Sequence, residues 1–163
     1  SETNLHFDKL KVLIIGAGGA ARGIIYALSK QGVQRIIIAN RTKTKSEALV
    51  NHFKHLTSME CISFDNINEL KEQSISLIIN TTSVGLPPNE DEVPISIPWI
   101  NEKVMVSDLI YNPRKTQFLV ESEQKGATIH NGLGMFINQG ALAYELWTGQ
   151  KPPIELMRNT IEE

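Results

Sequence analysis

Immediately after the apolar run "LKVLII" (10–15) comes "GAGGAARGI", which sets Gly16-x-Gly18-x-x-Ala21 between a strand-like and a helix-like segment. A glycine at 16 permits a tight turn, one at 18 lets the backbone approach a pyrophosphate, and Ala21 allows close helix–strand packing. The free N–H groups and positive end of the helix would then face phosphate oxygens, with Gly16, Ala17, Gly18, Gly19 and Ala20 forming the cradle. The bland alternative is a tight turn with no ligand. A P-loop is excluded, because no Gly-Lys-Ser/Thr follows.

A second group of chemical interest closes the run "RIIIANRTKTK" (35–45). Dinucleotide sites commonly carry an acid about 20 residues beyond the glycines, where it grips a ribose 2′-hydroxyl. This chain has Asn40, Arg41 and Thr42 there. A guanidinium can make charge-assisted bonds to a 2′-phosphate, Asn40 and Thr42 can add neutral ones, and Lys43 and Lys45 raise the local potential. The competing reading is a solvated helix start, but cations are disfavoured at a helix N-terminus. The pattern therefore points to NADP over NAD, and away from S-adenosylmethionine.

The elements that would position these groups alternate along the chain. Short β-branched runs occur at 10–15, 35–40, 59–64, 76–80, 103–110 and 127–130, as expected of strands buried on both faces. Helical stretches lie between them: "AARGIIYALSKQG" ending on Gly32, "KSEALVNHFKHL" with Leu49, Phe53 and Leu56 on one face, short polar "NINELKEQ", and "PRKTQFLVESEQKG". "MFINQGALAYELWTG" closes the series, with Phe136, Ala143, Tyr144 and Trp147 as core candidates. This order predicts an α/β doubly wound parallel sheet of Rossmann type, whose strand C-termini share one ligand-binding edge. The prolines of "GLPPNEDEVP" (85–94) mark a loop whose acids read as a solvated rim.

Composition narrows the classes further. The net charge of −2 leaves no general basic field for nucleic acid or an anionic membrane. No apolar run reaches the ~20 residues that span a bilayer. Cys61 is the only cysteine, which excludes an internal disulfide and fits a reducing cytoplasm; it is expected to be a small buried hydrophobe. His52 and His55 lack a third ligand, so no metal site is expected. The start "SETNLHFDKL" reads as a linker or interior cut, giving residues 1–10 as an interdomain segment and 11–163 as the nucleotide domain.

Five stretches in sequence resemble the cofactor-binding domain of shikimate dehydrogenases, from Lys11 to about Gly149. "GAGGAARG" is similar to that family's diphosphate loop and "NRTKTK" to its 2′-phosphate clamp. "INTTSVG" (79–85), "SDLIYNPRKTQFL" (107–119) and "NGLGMFINQGALAYELWTG" (131–149) are similar to three further family segments. The resemblance implies that Asn40, Arg41, Thr42, Lys43, Thr44 and Lys45 hold the adenosine phosphate. Lys45 departs from the arginine often found there, giving a point charge without the planar fork. It also implies that Leu109 and Gly132 meet the nicotinamide end through backbone, that Met135 lies beside the ring, and that Tyr111 and Gln139 bind the substrate. Met135 and Gln139 fall four apart on one predicted helix, so both can address one cleft. Asp108 and Asn80 read as residues that orient loops.

The resemblance further implies an NADPH-dependent reduction of 3-dehydroshikimate to shikimate. A separate N-terminal substrate domain would supply a lysine–aspartate pair for proton transfer. These residues contain no counterpart of its S-x-S, N-V-T-x-P-x-K or N-T-D segments, so no catalytic residue is assigned and the chain alone is expected to bind cofactor without turnover. Two alternatives stay open: a related quinate-type dehydrogenase domain, and a stand-alone module that senses NADP(H).

Overall fold

The computed structural model describes residues 6–132, 134, 145, 146 and 148–162. Six strands form one all-parallel sheet: β1 Lys11–Ile15, β2 Arg35–Ala39, β3 Ser58–Ile62, β4 Leu77–Asn80, β5 Met105–Asp108 and β6 Thr128–His130. Their spatial order is β3-β2-β1-β4-β5-β6. From β1 the chain first winds one way to β2 and β3, then crosses back to add β4 on the other side. The crevice beyond the C-termini of β1 and β4 is therefore the topological switch point, where open α/β sheets bind ligands.

Alternation along the central strands fills two cores. Val12, Ile14, Ile36 and Ile38 pack with Ala21, Ile25, Leu49 and Phe53 on the face covered by helices α1 (Gly19–Lys30) and α2 (Lys43–Phe53). Leu13, Ile15, Ile37 and Ile78 pack on the other face with Ile67, Leu70, Phe118 and Leu119. That second face is covered by a 3-10 helix at Phe64–Gln73 and by α3 (Gln117–Gln124). Ile67 and Leu70 are three apart and both buried, the spacing that aligns side chains in a 3-10 helix. The polar stretch read as a short helix is thus a helix of tighter pitch.

Burial on both faces holds for β1, β2 and β4, while β5 buries one face and half-buries the other. β3 and β6 are sheet edges, and their residues are half-buried or exposed. Cys61, expected in the core, is half-buried for that reason. Leu10 is buried and Phe7 packs against the α1–α2 core, so packing reaches into the segment read as a linker. Helix α4 (Ile154–Glu162) lies beyond the last segment anticipated from sequence. The core candidates Phe136, Ala143, Tyr144 and Trp147 lie outside the described residues. Among the described residues, no helix is long and apolar enough to cross a membrane.

Candidate functional site

Sheet register brings four strand ends into one row. Ile15 pairs with Ala39 on one side and with Asn80 on the other, and Asn80 pairs with Asp108. The residues just past this row, Gly16, Asn40, Thr81 and Leu109, therefore emerge along one edge.

At the β1 end, Gly16 has φ +109° and donates its N–H to the Ala39 carbonyl at 2.8 Å. A Cβ there would sit 2.5 Å from the Thr81 hydroxyl, so neither the conformation nor the space admits a side chain. Ala17 is half-buried, and Ala21 is fully buried against the sheet. Gly18 is the N-cap of α1, makes no side-chain cap bond, and has open space where a side chain would stand, as does Gly19. The first turn carries no acid. Backbone N–H groups at such a start lack intrahelical partners, and an anion can satisfy them.

At the β2 end, α2 also begins without a side-chain cap, Thr42 being its N-cap, and its first turn holds lysines and no acid. Two cations in that turn oppose the helix dipole at roughly 0.3–1 kcal/mol each, a cost that a bound anion offsets. Lys43 is engaged 3.6 Å from Glu47. Arg41 and Lys45 are exposed and make no hydrogen bond or ion pair among the described residues. Thr44 is exposed beside them. Asn40 donates one amide hydrogen to the Thr42 carbonyl at 3.1 Å, which shapes the turn into α2. The second hydrogen of that amide makes no bond among the described residues and is left for a phosphate.

The β4 and β5 ends are built differently. Asn80, Asp108 and Thr116 are all buried. The Asp108 carboxylate accepts from the Ile110 N–H at 3.0 Å, the Thr116 hydroxyl at 2.8 Å and the Asn80 amide at 3.2 Å. The other end of Asn80, its carbonyl oxygen, accepts from both the N–H and the hydroxyl of Thr82, at 3.0 and 2.7 Å. Burial raises the Asp108 pKa above its ordinary value, while the bonds from Ile110, Thr116 and Asn80 pull it back. Every one of these partners is a donor, the set that suits an ionised carboxylate. Thr116 also N-caps α3, accepting from the Leu119 N–H at 3.3 Å.

Beyond this junction the Leu109 carbonyl is pressed against Gly132, so close that any Cβ at 132 would collide with it. The Gly132 N–H donates to the Ile110 carbonyl at 3.2 Å. A cleft of about 470 Å³ opens here, lined by Ala20, Thr81, Thr82, Ser83, Leu86, Pro87, Leu109, Ile110, Tyr111 and Asn112. It joins the glycine turn to the expected nicotinamide and substrate residues. Met135 and Gln139 lie outside the described residues. Sequence reading passed over Thr81, Thr82 and Thr116; for Thr81 and Thr82 the visible signal was a run of hydroxyls directly after an apolar strand. A second cavity of about 340 Å³, near Lys71, Trp99 and Lys103, lies at the opposite ends of β4 and β5, away from all of these groups. Among the described residues, no three His, Cys, Asp or Glu side chains group to hold a metal.

Known proteins match the chain along nearly its whole length. The family model described as "Shikimate / quinate 5-dehydrogenase" matches residues 1–128, and "Shikimate 5'-dehydrogenase C-terminal domain" matches 132–162. The shikimate dehydrogenase (NADP(+)) of Geobacillus sp. (strain WCH70) is 42% identical over 164 residues, which span 99% of this chain and 58% of that protein. The Listeria monocytogenes shikimate 5-dehydrogenase, solved with shikimate and NAD, superposes with a TM-score of 0.86 at 30% identity, covering 97% of this chain and 57% of that one. The Thermus thermophilus enzyme, solved with NADP(H) and shikimate, gives a TM-score of 0.77 at 33% identity, covering 93% and 54%. The chain thus spans a little over half the length of the relatives it matches. The chain belongs to the shikimate/quinate 5-dehydrogenase family.

Proposed function

We propose that residues 11–163 form the NADP(H)-binding domain of a shikimate dehydrogenase, and that these residues alone bind the cofactor without turning over substrate. One observation carries the reading. The crevice asks for an anion at two separated points, the open turn at Gly18 and Gly19 and the uncommitted Arg41 and Lys45 beside the uncapped start of α2. A dinucleotide with a phosphorylated ribose carries negative charge at two such points. The Geobacillus relative is an NADP(+) enzyme and the Thermus neighbour holds NADP(H), whereas the Listeria neighbour holds NAD. The fold alone therefore does not choose the nucleotide, and here the choice rests on Arg41.

The residues present fit the group. The Gly16 turn leaves no room for a Cβ, and the space above Gly18 and Gly19 is open. N–H groups of Gly18, Gly19 and Ala20 would hold the diphosphate, and Arg41 with Lys45 the 2′-phosphate. Leu109 and Gly132 would meet the nicotinamide end. The cofactor, when bound, supplies hydride to a carbonyl. Tyr111, on the cleft wall, would hydrogen-bond the substrate's carboxylate or hydroxyls, as would Gln139 by its match to the family pattern. No acid or imidazole lines this cleft among the described residues, and the oxygens of Asp108 are already committed. General acid–base help of the kind such a reduction needs is worth about 10²- to 10⁴-fold. It is expected from a partner domain, as is the rest of the substrate pocket.

Calorimetric titration of the 163-residue chain with both cofactors tests the first half. NADP should bind more tightly than NAD, and equal affinities would remove the reading. An absorbance assay for shikimate oxidation tests the second half. Silence is expected, and robust turnover would show a complete acid–base site within these residues.

A further inference from the structure

Asp108 is buried at the end of β5, and its bonds reach three separate segments: the end of β4 through Asn80, the first turn after β5 through Ile110, and the N-terminus of α3 through Thr116. Two of those segments run directly into the opposite walls of the cleft. On one side Asn80 holds Thr82, and the Thr81 next to it bears on Gly16 of the phosphate turn. On the other side Ile110 is held with its carbonyl on the Gly132 N–H, and the Leu109 carbonyl beside it packs on Gly132. A chain of contacts therefore runs from Gly16 to Gly132, and the Asp108 carboxylate is its centre. Buried networks of this kind hold one geometry when every member is satisfied. This network is satisfied with no ligand atom, so nothing in it is available to bind one.

We propose that Asp108 is a positioning residue for the nicotinamide half of the site, setting the separation between the Thr81–Thr82 wall and the Leu109–Ile110 wall through Asn80, Ile110 and Thr116. The inference rests on the cofactor reading above. The reach of Asp108 ends at Gly16, so the 2′-phosphate end of the adenosine half, which stands at the end of β2 on Arg41 and Lys45, lies outside it. Removing the charge without changing the shape should thus damage one half of the cofactor site and spare the other.

The test titrates the 163-residue chain with NADP and with adenosine 2′,5′-bisphosphate, which carries the adenosine half alone. Asp108→Asn places an amide opposite the Asn80 and Thr116 donors. It should weaken NADP about tenfold, the scale of one hydrogen bond to a charged group, while the bisphosphate changes by less than about twofold. The exchange Asn80→Asp with Asp108→Asn restores one carboxylate and one amide across the strand pair and should recover most of the NADP affinity. Unchanged NADP binding in Asp108→Asn would overturn the inference. So would an equal loss of both ligands, the mark of a merely structural role, or a double exchange that recovers nothing. Should Asp108→Asn not fold, Thr116→Val removes one donor to Asp108 together with the cap on the Leu119 N–H and should cost NADP about threefold with the bisphosphate spared; unchanged NADP binding, or an equal loss of both ligands, would overturn the inference as well. An unmutated chain that binds neither ligand overturns the cofactor reading itself, and the inference falls with it.

Discussion

At the β2 end of the crevice, Arg41 and Lys45 stand in solvent with no partner among the described residues, on a helix start that no side chain caps. At the β4 and β5 ends, Asn80, Asp108 and Thr116 are buried and bonded to one another. The first region leaves Arg41 and Lys45 uncommitted, while the second has spent its polar groups on its own shape. Exposed cations lose little by waiting in water, because they are hydrated until an anion arrives. Buried polar groups must be paired within the fold, since each unpaired one costs about 1–3 kcal/mol. Affinity for a charged group can therefore be placed on the rim, but the geometry of a cleft floor has to be settled during folding.

The contrast can be broken most severely at its buried side. Asp108→Ala leaves the Asn80 amide, the Thr116 hydroxyl and the Ile110 N–H without their acceptor. Urea unfolding should show a loss of about 3 kcal/mol or more. On the rim, Arg41→Ala should leave folding stability nearly unchanged and weaken NADP by roughly 1.5–3 kcal/mol, with NAD unaffected, as read by calorimetry. A smaller effect sharpens the same side. Glu47 competes for Lys43, so Glu47→Gln should tighten NADP by a few tenths of a kcal/mol and lose that gain at high salt.

The last expected effect is a slope with pH. Burial raises the Asp108 pKa above 3.8, so the folded chain takes up that proton more readily than the unfolded chain. The contribution of this group to stability is then fullest below pH 3.8 and is lost as pH rises through the raised value. Asp108→Asn lacks this titration. The stability of the unmutated chain relative to that variant should fall as pH rises from about 4, and a flat difference in parallel urea titrations would contradict the assigned cause.

The two regions also differ in how readily sequence discloses them. The glycine turn and "NRTKTK" are local strings whose residue types carry their physics, and Gly16, Gly18, Ala21 and Arg41 could be read directly. The middle strands were legible for a similar reason: "LKVLII" and "RIIIAN" are apolar on both alternating faces, as a strand covered on two sides must be. The junction is not local. Asn80 and Asp108 are 28 residues apart in the chain, and they meet only because the register of β4 on β5 sets them side by side. Spacing along the chain cannot disclose that, so the two residues could be read as loop-orienting but not as bonded to each other or to Thr116. The stretch within Phe64–Gln73 could be read as helical but not as 3-10, since Ile67 and Leu70 are too few to show a period. Cys61 was misjudged because burial there depends on β3 being an edge strand.

The single row formed by Ile15, Ala39, Asn80 and Asp108 carries an implication for how such a chain can vary in length. An insertion within any of these strands would advance its following loop by one pleat, reversing which side chains face the crevice. Residues could instead be added or removed in the exposed stretch 89–92, whose ends need not keep step with the row. Homologous domains of different size should accordingly place their extra length there, and grafts between them should cut outside the four aligned strand ends.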